Sequence, residues 1–191
     1  MIMKFLLGSI LGGIVLFAWG AISWMVLPWH EQTLEKFSDE PAVAQIIAEQ
    51  ATRDGVYILP NPHKHSAIMN EEQKKAAETD AMERMKQGPF VFLAVTKSGS
   101  DPQDQEPYIR SLITQMVIAG LITCLVLAVK LSSYSGKVLF ITALGLLGGL
   151  MVYVPLWNWW KFSNSFTLVG VADLVISAFL AGLVIAAVTR N

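Results

Sequence analysis

The residue with the most chemical potential in this 191-residue sequence is Asp173, the one acid inside a long apolar run from about Thr167 to Val188. An ionised carboxylate in that setting costs roughly 2.5–3.5 kcal/mol on membrane-insertion scales, so a partner or neutral protonation is expected. Arg110, at the start of another apolar run, is the natural ion-pair candidate. Gln115, Thr114, Ser23, Tyr153 and Ser177 are expected to complete an intramembrane polar cluster. Two uses fit such a cluster: an ion, proton or polar-substrate site, or a hydrogen-bonded clamp between helices. A single acid without further intramembrane charges makes a poor transport path, which favours the clamp.

A second candidate is His63-Lys64-His65, which places two imidazoles in an extended segment. Met69, Met82, Met85 or His30 would supply soft ligands for copper, or His30 a third nitrogen for zinc. The spacing of any third ligand is not diagnostic, so a metal site at His63, His65 and Met69 ranks behind the other readings. The single cysteine, Cys124, lies in an apolar run and forms neither an intrachain disulfide nor a CxxC motif. The sequence contains no GxSxG, HExxH or P-loop, and no GxGxxG follows a strand. No reaction is identified, and the chain is expected to be non-enzymatic and to hold no cofactor.

The elements that must position these residues are set by segregation of charge. Hydrophobic residues make up 53% of the chain and mean hydropathy is +0.49, yet 14 of the 15 acidic residues fall between Glu31 and Glu106. Outside that window, four stretches reach the roughly 20 apolar residues needed to cross hydrocarbon: Phe5 to Leu27, Ser111 to Val129, Val138 to Leu156, and Thr167 to Val188. The first also approximates a signal peptide, with a small-x-small site at Ala18-Trp19-Gly20. Its apolar character continues through Leu27, past the usual signal core, which predicts an uncleaved anchor. With a net charge of −1 and no basic cluster beyond Lys74-Lys75, nucleic acid is not an expected partner.

Lysine and arginine near span ends are retained in the cytoplasm. Lys4, Lys130, Lys137 and Arg190 share one side with no acid among them, which predicts cytoplasmic termini and an extracytoplasmic large loop in a bacterial inner membrane. Trp24, Trp29, Trp157, Trp159 and Trp160 would then gather, with His30, at the opposite interface, as anchors or as a docking rim. Gly8-x-x-x-Gly12, Gly145, Gly148 and Gly149 offer small surfaces for close helix approach, within the bundle or between copies.

Between Pro28 and Tyr108 the pattern is that of a small mixed domain. Ser38-Asp39-Glu40-Pro41 signals a helix start, and Val43, Ile46, Ile47 and Ala51 follow at helical spacing. Val56 to Leu59 predicts a short strand. Asn70 to Gln87 predicts a thinly apolar helix carrying Glu71–Lys75 and Asp80–Arg84 pairs, and Phe90 to Thr96 a second strand. Strand direction is left open. Lys97 to Pro107 is expected to be a polar linker.

The predicted fold is therefore membrane all-α: a four-transmembrane-helix bundle with a small α+β (helix, strand, helix, strand) extracytoplasmic domain between helices 1 and 2. The boundaries are 1–27 for the first span, 28–108 for the domain and linker, and 109–130, 138–157 and 165–189 for the remaining spans. The Trp-Gly-x-Ile-Ser-Trp-Met-x-Leu-Pro-Trp-His stretch at Trp19 to His30, Gly55-Val-Tyr-Ile-Leu-Pro60, Gly88-Pro-Phe90 and an Asp173-bearing last helix resemble uncharacterised bacterial membrane proteins with this layout. That resemblance implies architecture and a bacterial origin, with no mechanism. The leading functional expectation is an accessory or assembly subunit in the lipid bilayer that binds a membrane or envelope protein, or a second copy, through the outer domain and tryptophan rim. A small transporter or channel subunit built around Asp173 comes second, and an extracytoplasmic metal-handling protein third.

Overall fold

The structure, a computed structural model, describes residues 1–61, 69–129 and 131–190. Its six α-helices are α1 (Ile2–Met25), α2 (Glu40–Gln50), α3 (Glu71–Gln87), α4 (Glu106–Val129), α5 (Tyr134–Trp160) and α6 (Asn164–Val188), and its strands are β1 (Gly55–Leu59) and β2 (Val91–Val95). The chain divides into two compact units, one made of residues Met1–Glu35 and Gln103–Asn191, the other of Lys36–Pro102.

In the first unit, α1, α4, α5 and α6 have 24 to 27 residues each and are apolar enough to cross a membrane. At about 1.5 Å per residue they measure roughly 36–40 Å, which exceeds a ~30 Å hydrocarbon layer and leaves their ends at its surfaces. Large apolar side chains such as Leu121, Leu139, Met151 and Leu168 are exposed on them, as lipid-facing residues must be. The helices do not close into a ring. Helix α6 packs along α5 and α1, and α1 along α4, whereas α4 and α5 barely touch.

Close approach explains several glycines. A Cβ on Gly13 would lie 2.6 Å from the Met116 Cα, so α1 meets α4 almost backbone to backbone, and one on Gly12 would lie 2.9 Å from the Ile185 side chain, which α6 packs into the gap. The buried core at this junction joins Leu16, Ala119, Val126, Ile141, Ala178, Ala181 and Ile185. At the end of α6, Lys4 donates to the Arg190 carbonyl at 2.9 Å and buried Lys137 to the Thr189 carbonyl at 2.7 Å. Two lysines thus meet the partial negative charge that a helix presents at its final turn.

In the second unit, Asp39 caps α2 by accepting the Ala42 N–H at 3.0 Å. Asn70 and Gln73 form a reciprocal capping box on α3. The expected Asp80–Arg84 pair is present, while Glu71 takes Lys74 at 2.7 Å, where Lys75 had been expected. The strands run antiparallel with Tyr57 opposite Leu93, which resolves the direction that spacing left open. Lys97 ties the unit together: its N–H donates to Asp54 at 2.9 Å, and its ammonium to the Ala51 carbonyl at the end of α2 at 2.6 Å.

Candidate functional site

Asp173 lies on α6 in the half of the helices nearest the tryptophan-rich end, and it is buried. Its Oδ1 accepts two hydrogen bonds, from Trp19 Nε1 at 2.6 Å and from Ser23 Oγ at 2.7 Å. Trp19 and Ser23 stand four residues apart on α1, so a single helix face delivers both donors. Past the end of α1, Pro28 and a short 3-10 turn at Glu31–Thr33 fold the chain back. This return brings Trp29 and His30 onto Ser23: Trp29 Nε1 lies 3.0 Å from Ser23 Oγ and His30 Nε2 3.1 Å from it. His30 Nε2 also lies 3.5 Å from Asp173 Oδ2.

A serine hydroxyl has one hydrogen and two lone pairs. With the Asp173 carboxylate ionised, Ser23 gives its hydrogen to it and accepts from His30, which assigns the Nε2–H tautomer, while Trp29 Nε1 is shared between Ser23 Oγ and the Ser23 carbonyl at 3.0 Å each. The imidazole is held flat by Trp24, whose ring stacks on it at 3.8 Å and 9°, while Trp29 meets it edge-on at 5.5 Å. Trp19 and Trp29 form a further edge contact at 6.1 Å. No buried side-chain polar atom among the described residues lacks a partner.

Ser23, His30 and Asp173 invite comparison with a nucleophilic triad, and the geometry argues against one. In that arrangement the two imidazole nitrogens divide the work, one facing the serine and the other the acid. Here Nε2 faces both, and the serine donates to the acid directly. Ser23 is also fully buried, with no approach for a substrate carbonyl.

The expected Asp173–Arg110 pair is not formed. Arg110 pairs with Glu106 one turn earlier on α4, at 2.7 Å, and both side chains are largely exposed. An i,i+4 partner on its own helix serves this cation without bringing it into the apolar interior. Thr114 donates to the Arg110 carbonyl at 2.8 Å and does not join Asp173. Gln115, Tyr153 and Ser177 line, with Asp173, an open cleft of about 800 Å³ between α4 and α5, and none of the three hydrogen-bonds to the carboxylate among the described residues.

Of the aromatic residues, Trp24, Trp29 and His30 belong to the Asp173 network. Trp157 instead donates to Asn164 at 2.6 Å, and Trp159 is exposed. Trp160 ends α5. Trp19 is the residue that sequence reasoning passed over, although its i,i+4 relation to Ser23 on an otherwise apolar helix was the available signal. His63 and His65 lie outside the described residues. Met69 is exposed, and among the described residues no three His, Cys, Asp or Glu side chains gather in a metal-binding arrangement.

Comparison with protein-family models, curated proteins and solved structures finds no match to this chain.

Proposed function

We propose that this chain is a non-enzymatic accessory or assembly subunit of a bacterial inner membrane, whose Lys36–Pro102 unit lies outside the cytoplasm and binds another membrane or envelope protein. The observation that carries this reading is the poverty of that unit's own core. Its buried apolar residues among those described are Ala51, Pro60 and Ala81, whereas Phe37, Ile46, Val56, Leu59 and Met82 are exposed. A two-stranded sheet is marginal by itself, and apolar residues left open on both α2 and β1 are what a partner would cover.

The Asp173 network supports the same reading over transport. One carboxylate oxygen is committed to two donors of α1, and His30, whose Nε2 lies 3.5 Å from the other oxygen, is held between tryptophan rings. These contacts hold α1 to α6 and suit a rigid scaffold better than a site that must release a charge.

The test places a photo-reactive residue at Ile46 or Val56 of the full chain in its native membrane. One adduct of fixed mass is expected, and Val56→Glu should abolish co-purification of that protein while leaving the melting temperature unchanged. Adducts to lipid alone, or co-purification that survives Val56→Glu, would count against a protein partner at this face.

A further inference from the structure

We infer that the cleft between α4 and α5 is a binding site for a zwitterionic, amine-bearing phospholipid, with its polar end toward the tryptophan-rich end of the helices. The inference rests on the four helices being spans and is independent of any partner at the Lys36–Pro102 unit.

Two glycines first show where the cleft is open. Gly8, Gly12 and Gly13 each face a neighbouring residue that would collide with a Cβ, and helix packing accounts for them. Gly20 of α1 and Gly148 of α5 have nothing within 4 Å of a Cβ, and both line the cleft. Their missing side chains widen it on α1 and on α5.

From Ser111 to Leu125 the α4 wall runs about 21 Å at about 1.5 Å per residue, a length that an extended acyl chain can follow, and the open cleft has a volume of about 800 Å³.

Polarity also changes along the cleft. Tyr108, Ser111, Gln115, Tyr153 and Asp173 lie toward the tryptophan-rich end, and deeper in, the walls at Ile122, Leu125 and Leu144 are apolar. This gradient matches a headgroup and glycerol region above acyl chains. The lining contains the Asp173 carboxylate and no Lys, Arg or His among the described residues, which suits an ammonium and offers no countercharge to a purely anionic headgroup.

The full chain, reconstituted in vesicles of equal parts phosphatidylethanolamine and phosphatidylglycerol and released into mild detergent, tests this by native mass spectrometry. Wild type should retain one phosphatidylethanolamine per chain. Gly148→Trp, which fills open space, should lower that retention at least tenfold with unchanged circular dichroism and melting. Gly20→Trp, on α1, should do the same, so that a folding defect in one variant leaves the other to decide. Equal retention in wild type and a correctly folded filled variant would overturn the site. Preferential retention of phosphatidylglycerol would overturn the headgroup assignment, and a co-purifying polypeptide displaced by both tryptophan variants would replace the lipid with a partner helix.

Discussion

Ser23 is the residue on which the Asp173 network turns, because it alone touches the carboxylate, Trp29 and His30. Ser23→Ala removes a charge-assisted bond and leaves the His30 N–H without its closest acceptor. A loss of about 3 kcal/mol is expected from the cost of such groups, read as a lowered midpoint in denaturant unfolding in detergent. Trp19→Phe removes one donor only and should cost less, about 1.5–2 kcal/mol. Arg110→Ala is expected to leave the midpoint where it is, since its partner is Glu106 at the helix surface. A drop in the Arg110 variant as large as that in Ser23→Ala would return Arg110 to the site. The buried acid was legible from sequence because the cost of a membrane charge makes any intramembrane carboxylate conspicuous. Of its partners, Ser23 was among the expected cluster. Trp19 and His30 were not placed there and Arg110 was, because depth along a helix can be counted from residue numbers while rotation about the axis depends on which helices are neighbours.

Among the elements, glycines divide by what faces them. Gly13→Ala places a methyl group against the Met116 backbone, which cannot yield as a side-chain tip would. It should destabilise the α1–α4 pair by 1–3 kcal/mol, the usual cost of overpacking. Gly20→Ala meets open space and should be neutral or stabilising by up to about 1 kcal/mol through helix propensity. Thermal melts of the two variants should move apart, and parallel shifts would show that the glycines act only through propensity. The sequence reading found helices and strands near their observed limits because caps and periodicity are local signals: Asp39 and Asn70 each cap the helix they precede. It could not rank Gly13 above Gly20, because occupancy beyond a missing Cβ belongs to tertiary packing. Strand direction was hidden for a similar reason, since a connection of this length permits either.

For the whole molecule, the four long helices are arranged openly, with α4 and α5 in little contact, an order that the predicted four-helix bundle did not specify. Hydrophobicity identifies spans without ordering them around a centre. The proposed orientation is checked by thiol labelling. In a Cys124→Ala background, Ser98→Cys is expected to react with a membrane-impermeant maleimide added outside intact cells, and Ser132→Cys only after the membrane is opened. The reverse pattern would invert the topology and move the partner-binding unit to the cytoplasm.

Helix α6 is gripped near its middle and at its C-terminal end by residues made before it. Trp19 and Ser23 of α1 reach its Asp173, while Lys4 and Lys137 reach its final carbonyls. During synthesis α1 therefore enters the bilayer carrying polar groups whose partners are still to be translated. Until α6 arrives, Ser23 and Trp19 have no carboxylate to bind, and the nascent protein exposes the kind of unsatisfied intramembrane polarity that is costly in lipid. The α1–α4 pair can form first, and the polar contacts to α6 come last. A chain stopped after Trp160 should be cleared several times faster than the 191-residue chain in a pulse-chase measurement, with Asp173→Leu falling between the two.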